Sequence, residues 1–311
     1  MESTNQQQPK DSTLRFLWFL IPLIVCSGAQ ARLQLSTVSN NGQAVLYIKD
    51  GKSGIETGDA QNIKRALSQR SYSQVWLHSG GGNLYEGVKI GLVLREFGSF
   101  VRVKKGDYCI SACTIAFLGG VLRTVDEDAT YQVHAYSKVL SGLRPEQESL
   151  AKVSPGKFIR EYAQEQFTQD APFWSASLFL YIRSMIQHPP APKRIQVFNT
   201  YSQNQLTNQI KNTIHMDYER YVLNNLSVDE NRGAQEGIAA THDIAMRLER
   251  EAMAYSLIYL DSLAKQQQLG KRAKPALRIL RTMFESSILA TSSLNQSTLR
   301  EYGYTNVASS K

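Results

Sequence analysis

Residues 74–82, Gln74-Val75-Trp76-Leu77-His78-Ser79-Gly80-Gly81-Gly82, run a short strand-like segment into three consecutive glycines, and from Leu84 onward Val88, Leu92, Val93 and Phe97 recur at helical spacing. The segment reads as strand, glycine turn and helix. Working outward, residues 44–49 (A-V-L-Y-I-K) are rich in strand formers and residues 58–68 form an amphipathic stretch. Downstream, residues 100–103 read as a strand, 111–118 as a small-residue apolar helix and 131–134 as a further short strand. Short strands alternating with helices over about ninety residues predict βαβ units, a largely parallel sheet and an α/β fold with right-handed crossovers.

Past Ser137 the pattern changes. Residues 140–157 are polar, carry Pro145, Pro155 and Gly156, and read as a mobile loop. Residues 158–169 and 173–187 read as helices, stopped by His188-Pro189-Pro190-Ala191-Pro192, and two long helical stretches follow at 203–226 and 239–268. The apolar residues in the last of these, Ile244, Met246, Leu248, Met253, Leu257 and Leu260, mark a core or subunit contact.

Composition sets the class. Of 311 residues, 42% are hydrophobic and 20% charged, with only 9 prolines, which excludes collagen-like, disulfide-stapled and wholly disordered chains. The formal charge of +8 is dispersed, its longest basic tracts being Lys104-Lys105 and the interrupted run Lys271, Arg272, Lys274, Arg278, Arg281. Such tracts are solvated faces, and no nucleic-acid partner is expected.

Residues 16–25 (F-L-W-F-L-I-P-L-I-V) follow a polar segment with Lys10 and Arg15, and Ala29-Gln30-Ala31 supplies an A-x-A cleavage pattern. The apolar run is shorter than the roughly twenty residues a membrane span needs. Residues 1–31 therefore read as a signal peptide for export to the periplasm, the alternative being an uncleaved N-terminal anchor facing the periplasm. Beyond them two cysteines remain, Cys109 and Cys113. In an oxidising compartment this C-x-x-x-C pair reads as a disulfide, or with His134 as part of a zinc site.

Three features make chemical sense as a set. Consecutive glycines after Ser79 let backbone N–H groups face outward, either as a tight turn with no ligand or as donors to an anion or oxyanion. In Cys109-Ile110-Ser111-Ala112-Cys113 a serine opens an apolar helix, either as an N-cap or as a nucleophile favoured by the helix dipole and the Ala112 N–H. His134 ends a strand twenty-three residues after Ser111, either as a structural side chain or as the base that takes the serine proton.

Together these residues resemble the Clp-type serine peptidases, the Clp proteolytic subunit and its crotonase superfamily, and among them the exported Clp-like bacterial proteins. Ser79-Gly80-Gly81-Gly82 matches that family's Ser-Pro-Gly-Gly with Gly80 in place of proline, and Gly87 keeps the five-residue spacing. Ser111-Ala112 matches the nucleophile, Gly120 and Arg123 the following stretch, His134 the base, and residues 294–307 the closing segment. The resemblance implies a βαβ spiral in which residues 32–139 form the core, 140–270 a mainly helical insertion, and 271–311 a C-terminal segment completing the core. It implies catalysis by Ser111 and His134, an oxyanion hole of Gly81 and Ala112, no metal or organic cofactor, a peptide or protein substrate, and a homo-oligomer. The family's acidic residue falls nearest to Glu285, with Asp170 and Asp261 as other candidates; failing these, a Ser/His dyad is expected. The expected activity is an exported, ATP-independent serine peptidase. The alternatives are a catalytically silent binding or assembly protein and a crotonase-type enzyme acting on acyl-coenzyme A.

Overall fold

The chain opens as a hairpin: β1 (Leu33–Asn40) and β2 (Gln43–Asp50) pair antiparallel and turn at Asn41-Gly42, whose φ values of 50° and 77° are those a two-residue hairpin turn requires. From β2 the chain alternates through α1 (Asp59–Gln69), β3 (Gln74–His78), α2 (Leu84–Glu96), β4 (Phe100–Val103), β5 (Tyr108–Ile110), α3 (Ala112–Leu118), β6 (Leu122–Val125) and β7 (Thr130–Val133). The fold is α/β. Its main sheet runs β1-β2-β3-β4-β6, parallel everywhere except the opening hairpin, and β5 and β7 start a second sheet completed antiparallel by β8 (Ser292–Ser293). Val45, Leu46, Tyr47 and Ile48 are buried in succession, as expected of a strand covered on both faces. This computed structural model describes residues 33–186, 200–266, 269–270, 273–286 and 292–308, so the leader at 1–31 and the proline-rich break at 188–192 lie outside the described residues.

The second half is helical: α4 (Lys138–Ser141), α5 (Pro145–Val153), α6 (Pro155–Glu165), a π turn at Gln166–Asp170, α7 (Ala171–Ile186), α8 (Thr200–Asn224), α9 (Leu226–Glu236), α10 (Ile238–Lys265), α11 (Ala273–Glu285) and α12 (Gln296–Glu301). Residues 31–311 form one compact unit. The loop expected at 140–157 is instead mostly helix. Pro145 and Pro155 occupy first helical positions, where no N–H is needed, and the Gln147 side chain accepts the Arg144 N–H at 3.3 Å. Among the described residues no helix is long and apolar enough to cross a membrane.

Two contacts position the site. The α2 and α3 helices touch backbone to backbone: a Cβ on Gly119 would lie 2.0 Å from the Gly91 carbonyl oxygen. Every residue of α3 is buried, and Tyr181 of α7 donates to the Ile115 carbonyl at 2.7 Å. The C-terminal segment is tied by Arg123, whose guanidinium donates to the carbonyls of Gly120, Gly303 and Tyr304 at 2.7–2.9 Å while its backbone exchanges hydrogen bonds with Asn306. Three carbonyls at helix ends thus converge on one buried cation, which burial pushes down to about 10.

Gly119→Ala forces α2 and α3 apart. Urea unfolding is expected to show a loss of about 3 kcal/mol, and an unchanged midpoint would contradict the backbone contact.

Candidate active site

The glycine turn is anchored on both sides. Ser79 N–H donates to the Tyr108 carbonyl and Ile110 N–H to the Ser79 carbonyl, both at 2.9 Å, which aligns the end of β3 with β5. On the other side Ile55 N–H donates to the Gly81 carbonyl at 2.7 Å and Asn83 N–H to the Ile55 carbonyl at 2.9 Å, while the Asp50 carboxylate accepts Gly80 N–H at 2.6 Å. Gly81 and Gly82 take φ of 98° and 135°, and a Cβ on Gly81 would stand 2.6 Å from Ser111 Cβ and 2.9 Å from Ala112 N. Only glycine lets the turn lie against the serine. The buried Glu86 of α2 accepts Gly58 N–H at 3.1 Å and Ala60 N–H at 2.9 Å, so it caps α1 and fixes the loop at 53–57 opposite the serine.

Ser111 stands between β5 and α3 at φ 56°, ψ −125°. An L residue held in such a region carries on the order of 1–3 kcal/mol of strain. Its N–H donates to the Gln132 carbonyl at 3.1 Å, and its carbonyl accepts Thr114 N–H at 2.9 Å and Thr114 Oγ1–H at 2.6 Å. Its hydroxyl makes no capping bond, so the N-cap alternative is not what the structure adopts. The flanking Cys109 and Cys113 are joined in a disulfide with Cα atoms 5.3 Å apart.

His134 follows β7 and is half-buried, with Nδ1 2.8 Å from the Ala135 carbonyl oxygen. A carbonyl only accepts, so Nδ1 carries a proton, and the neutral tautomer that fits this contact has Nε2 as its acceptor. Ser111, Ala112, Gly80, Gly82 and His134 line one cavity of about 660 Å³. Among the described residues no hydrogen bond joins the serine and histidine side chains.

Of the remaining residues expected at the site, Gly81 stays beside the serine and the three carboxylates fall elsewhere. Gly81 backs Ser111, but its N–H donates to Ser79 Oγ at 3.1 Å; Gly82, next in the chain, lines the cavity. Glu285 does not enter the cavity: its side chain is 67% exposed and pairs with Arg281 at 3.3 Å, whereas its neighbours Met283 and Phe284 form cavity wall. The cause is helical phase, since α11 turns Met283 inward and Glu285 toward solvent. Asp170 pairs with Lys138, and Asp261 with Lys265 and Arg281. A separate histidine–carboxylate pair, His78 with Asp107 at 2.7 Å, lies outside this cavity.

The chain after the histidine supplies the other wall, through Tyr136 of the loop and Leu140, Trp174, Leu178, Met283 and Phe284 of the helical half. Sequence reasoning missed the residue that holds part of it. Glu249 of α10, only 7% exposed, accepts the Lys138 N–H at 2.8 Å and the Tyr162 hydroxyl at 2.5 Å, fixing the chain just after the histidine. A glutamate in the middle of a long charged helix carries no sequence signal of burial. Burial raises its carboxyl above the ordinary carboxylate range, offset in part by Tyr162, Ser137 and the amides of Lys138 and Val139.

No family model matches the chain, and no curated protein does.

A carboxyl whose folded value lies above its unfolded one stabilises most at low pH, and that contribution is lost as pH rises through the folded value. Glu249→Gln cannot ionise, so its stability relative to wild type is expected to improve as pH rises from about 4 to about 8. Urea unfolding across that range checks it; a constant difference would show that the carboxyl does not titrate differently in the two states.

Proposed function

We propose that the chain is an exported serine hydrolase, a peptidase working without an attached ATPase, built on the Clp/crotonase spiral. What carries the reading is Ser111: an uncapped hydroxyl on a residue held at φ 56°, facing a cavity it shares with His134. Strain of this kind persists where the surroundings impose it, and clusters at reactive centres. The parallel β2-β3-β4-β6 order, with β5 and β7 in a second sheet, supports the spiral. The disulfide supports an oxidising compartment.

In this reading Ser111 Oγ attacks the substrate carbonyl and its proton passes to His134 Nε2. The imidazole then protonates the leaving amine, and water repeats the sequence on the acyl-serine. The Ala135 carbonyl accepts Nδ1–H and sets the tautomer, the task an acidic side chain performs in a triad, so the machinery is a Ser/His dyad. The oxyanion donors are the N–H groups of Gly82 and Ala112, because Gly81 N–H is engaged by Ser79 and the first N–H of a helix has no helical acceptor. Substrate closes the gap between hydroxyl and imidazole, since catalytic hydrogen bonds tighten on binding. A silent binding protein of the same fold is the competing reading, favoured by the absence of a Ser111–His134 hydrogen bond among the described residues.

A fluorophosphonate probe is expected to label Ser111. Ser111→Ala removes labelling, His134→Ala slows it by about a hundred- to ten-thousand-fold, and Glu285→Gln leaves the rate within about twofold because that side chain faces solvent. Mass spectrometry of the labelled peptide reads the site. A folded chain that resists the probe throughout about pH 6–9 sinks the hydrolase reading in favour of the silent one.

A further inference from the structure

Cys109 and Cys113 straddle the serine. Cys109 is fixed in β5, paired with Tyr131 of β7 and bridged to Ser79, and Cys113 belongs to the first turn of α3. Their bond therefore ties the strand that enters the turn to the helix that leaves it, with only Ile110, Ser111 and Ala112 between. A ring this short restricts the unfolded chain less than a long one does, so its effect on global stability is small compared with that of a distant crosslink. The effect that remains is local. Hydrogen bonds to Gln132 and Thr114 hold the two peptide groups of Ser111, and the disulfide adds a covalent limit on the dihedrals between them, which stand at φ 56° and ψ −125°. An L residue keeps such a conformation only where its surroundings leave no alternative.

We propose that the Cys109–Cys113 disulfide is a positioning device that locks the Ser111 hydroxyl toward the cavity, so that the site is fully reactive only in the oxidised chain. This rests on the reading of Ser111 as the nucleophile. The bond forms by thiol–disulfide exchange with an external disulfide: one cysteine thiolate attacks it and releases a thiol, and the second cysteine attacks the mixed disulfide and releases the other. The two cysteines lose two electrons and two protons, and the external disulfide gains them as two thiols. Exchange needs a reachable thiolate, yet Cys109 and Cys113 are 0% and 1% exposed. The bond is therefore made before the turn is buried, and in the folded chain it is shielded from thiols. Oxidation sets the serine once, during folding.

The test compares the oxidised wild-type chain with Cys109→Ala/Cys113→Ala, and with wild type unfolded, reduced and refolded without oxidant. Circular dichroism confirms that each is folded. The maximal rate of fluorophosphonate labelling is expected to fall by about a hundredfold in the variant, with the half-saturating probe concentration unchanged. Reoxidising the reduced wild type with oxidised glutathione under refolding conditions restores the rate. Amide hydrogen exchange at residues 110–114, which needs no activity, is expected to be faster without the bond, and it decides the matter should the variant fold poorly, because the reduced wild type can then be followed instead. Equal labelling and equal exchange with and without the bond overturn the proposal alone. Absence of labelling in every form overturns the hydrolase reading, and the exchange measurement still reports whether the bond holds the turn.

Discussion

The site depends on one missing side chain. Gly81 stands where a Cβ would strike Ser111 Cβ, the Ile110 carbonyl and the Ala112 amide, and that vacancy lets the turn after β3 lie flat against the turn after β5. The same logic repeats deeper, where Gly119 meets the backbone of Gly91. Two strand–turn–helix units are thereby brought into backbone contact, with their turns side by side at the C-terminal ends of β3 and β5. Peptide groups held this close cannot drift, and a cavity built on them is set in advance of any ligand.

The second requirement is closure of the chain upon itself. Arg123 gathers carbonyls from the end of α3 and from the turn after α12, with no carboxylate among its hydrogen-bond acceptors in the described residues, so the C-terminal segment is stitched to β6 by a buried cation and helix-end dipoles. β8 adds to β7 just before that segment. Because β7 runs into His134, the strand that delivers the histidine is flanked by residues about 160 positions later in the sequence. Helices between them fold back as cavity wall, with Trp174 and Leu178 from α7 and Phe284 from α11.

Much of the first half was legible. β3 and β4 fall where alternation and length put them, and α2 and α10 follow their apolar stripes, since these elements bury a face whose period the residues record. β1, β5, β6 and α9 were not legible. β1 is an edge strand with five of its eight residues polar, β5 and β6 have three and four residues, and α9 begins two residues after α8 ends. Pro145 and Pro155 read as breakers but start helices, because the same lack of an N–H that ends one helix suits the first turn of the next.

Local chemistry is what the residues determined by themselves: a glycine run that bares backbone amides, a serine before a helix, a histidine after a strand and a cysteine pair four apart. Each follows from short-range sterics and spacing, which one-dimensional order preserves. Which carboxylates turn inward was decided by tertiary structure, because burial depends on helical phase against a distant neighbour. Glu285 faced solvent and Glu249 was enclosed although both belong to charged helices. The tertiary structure also chose the acceptor of His134 Nδ1–H, a backbone carbonyl one residue on, and committed Gly81 N–H to Ser79 so that Gly82 faces the cavity. Hydrogen-bond partners of this kind are fixed by distances of tenths of an ångström, and those exist only once the chain has packed.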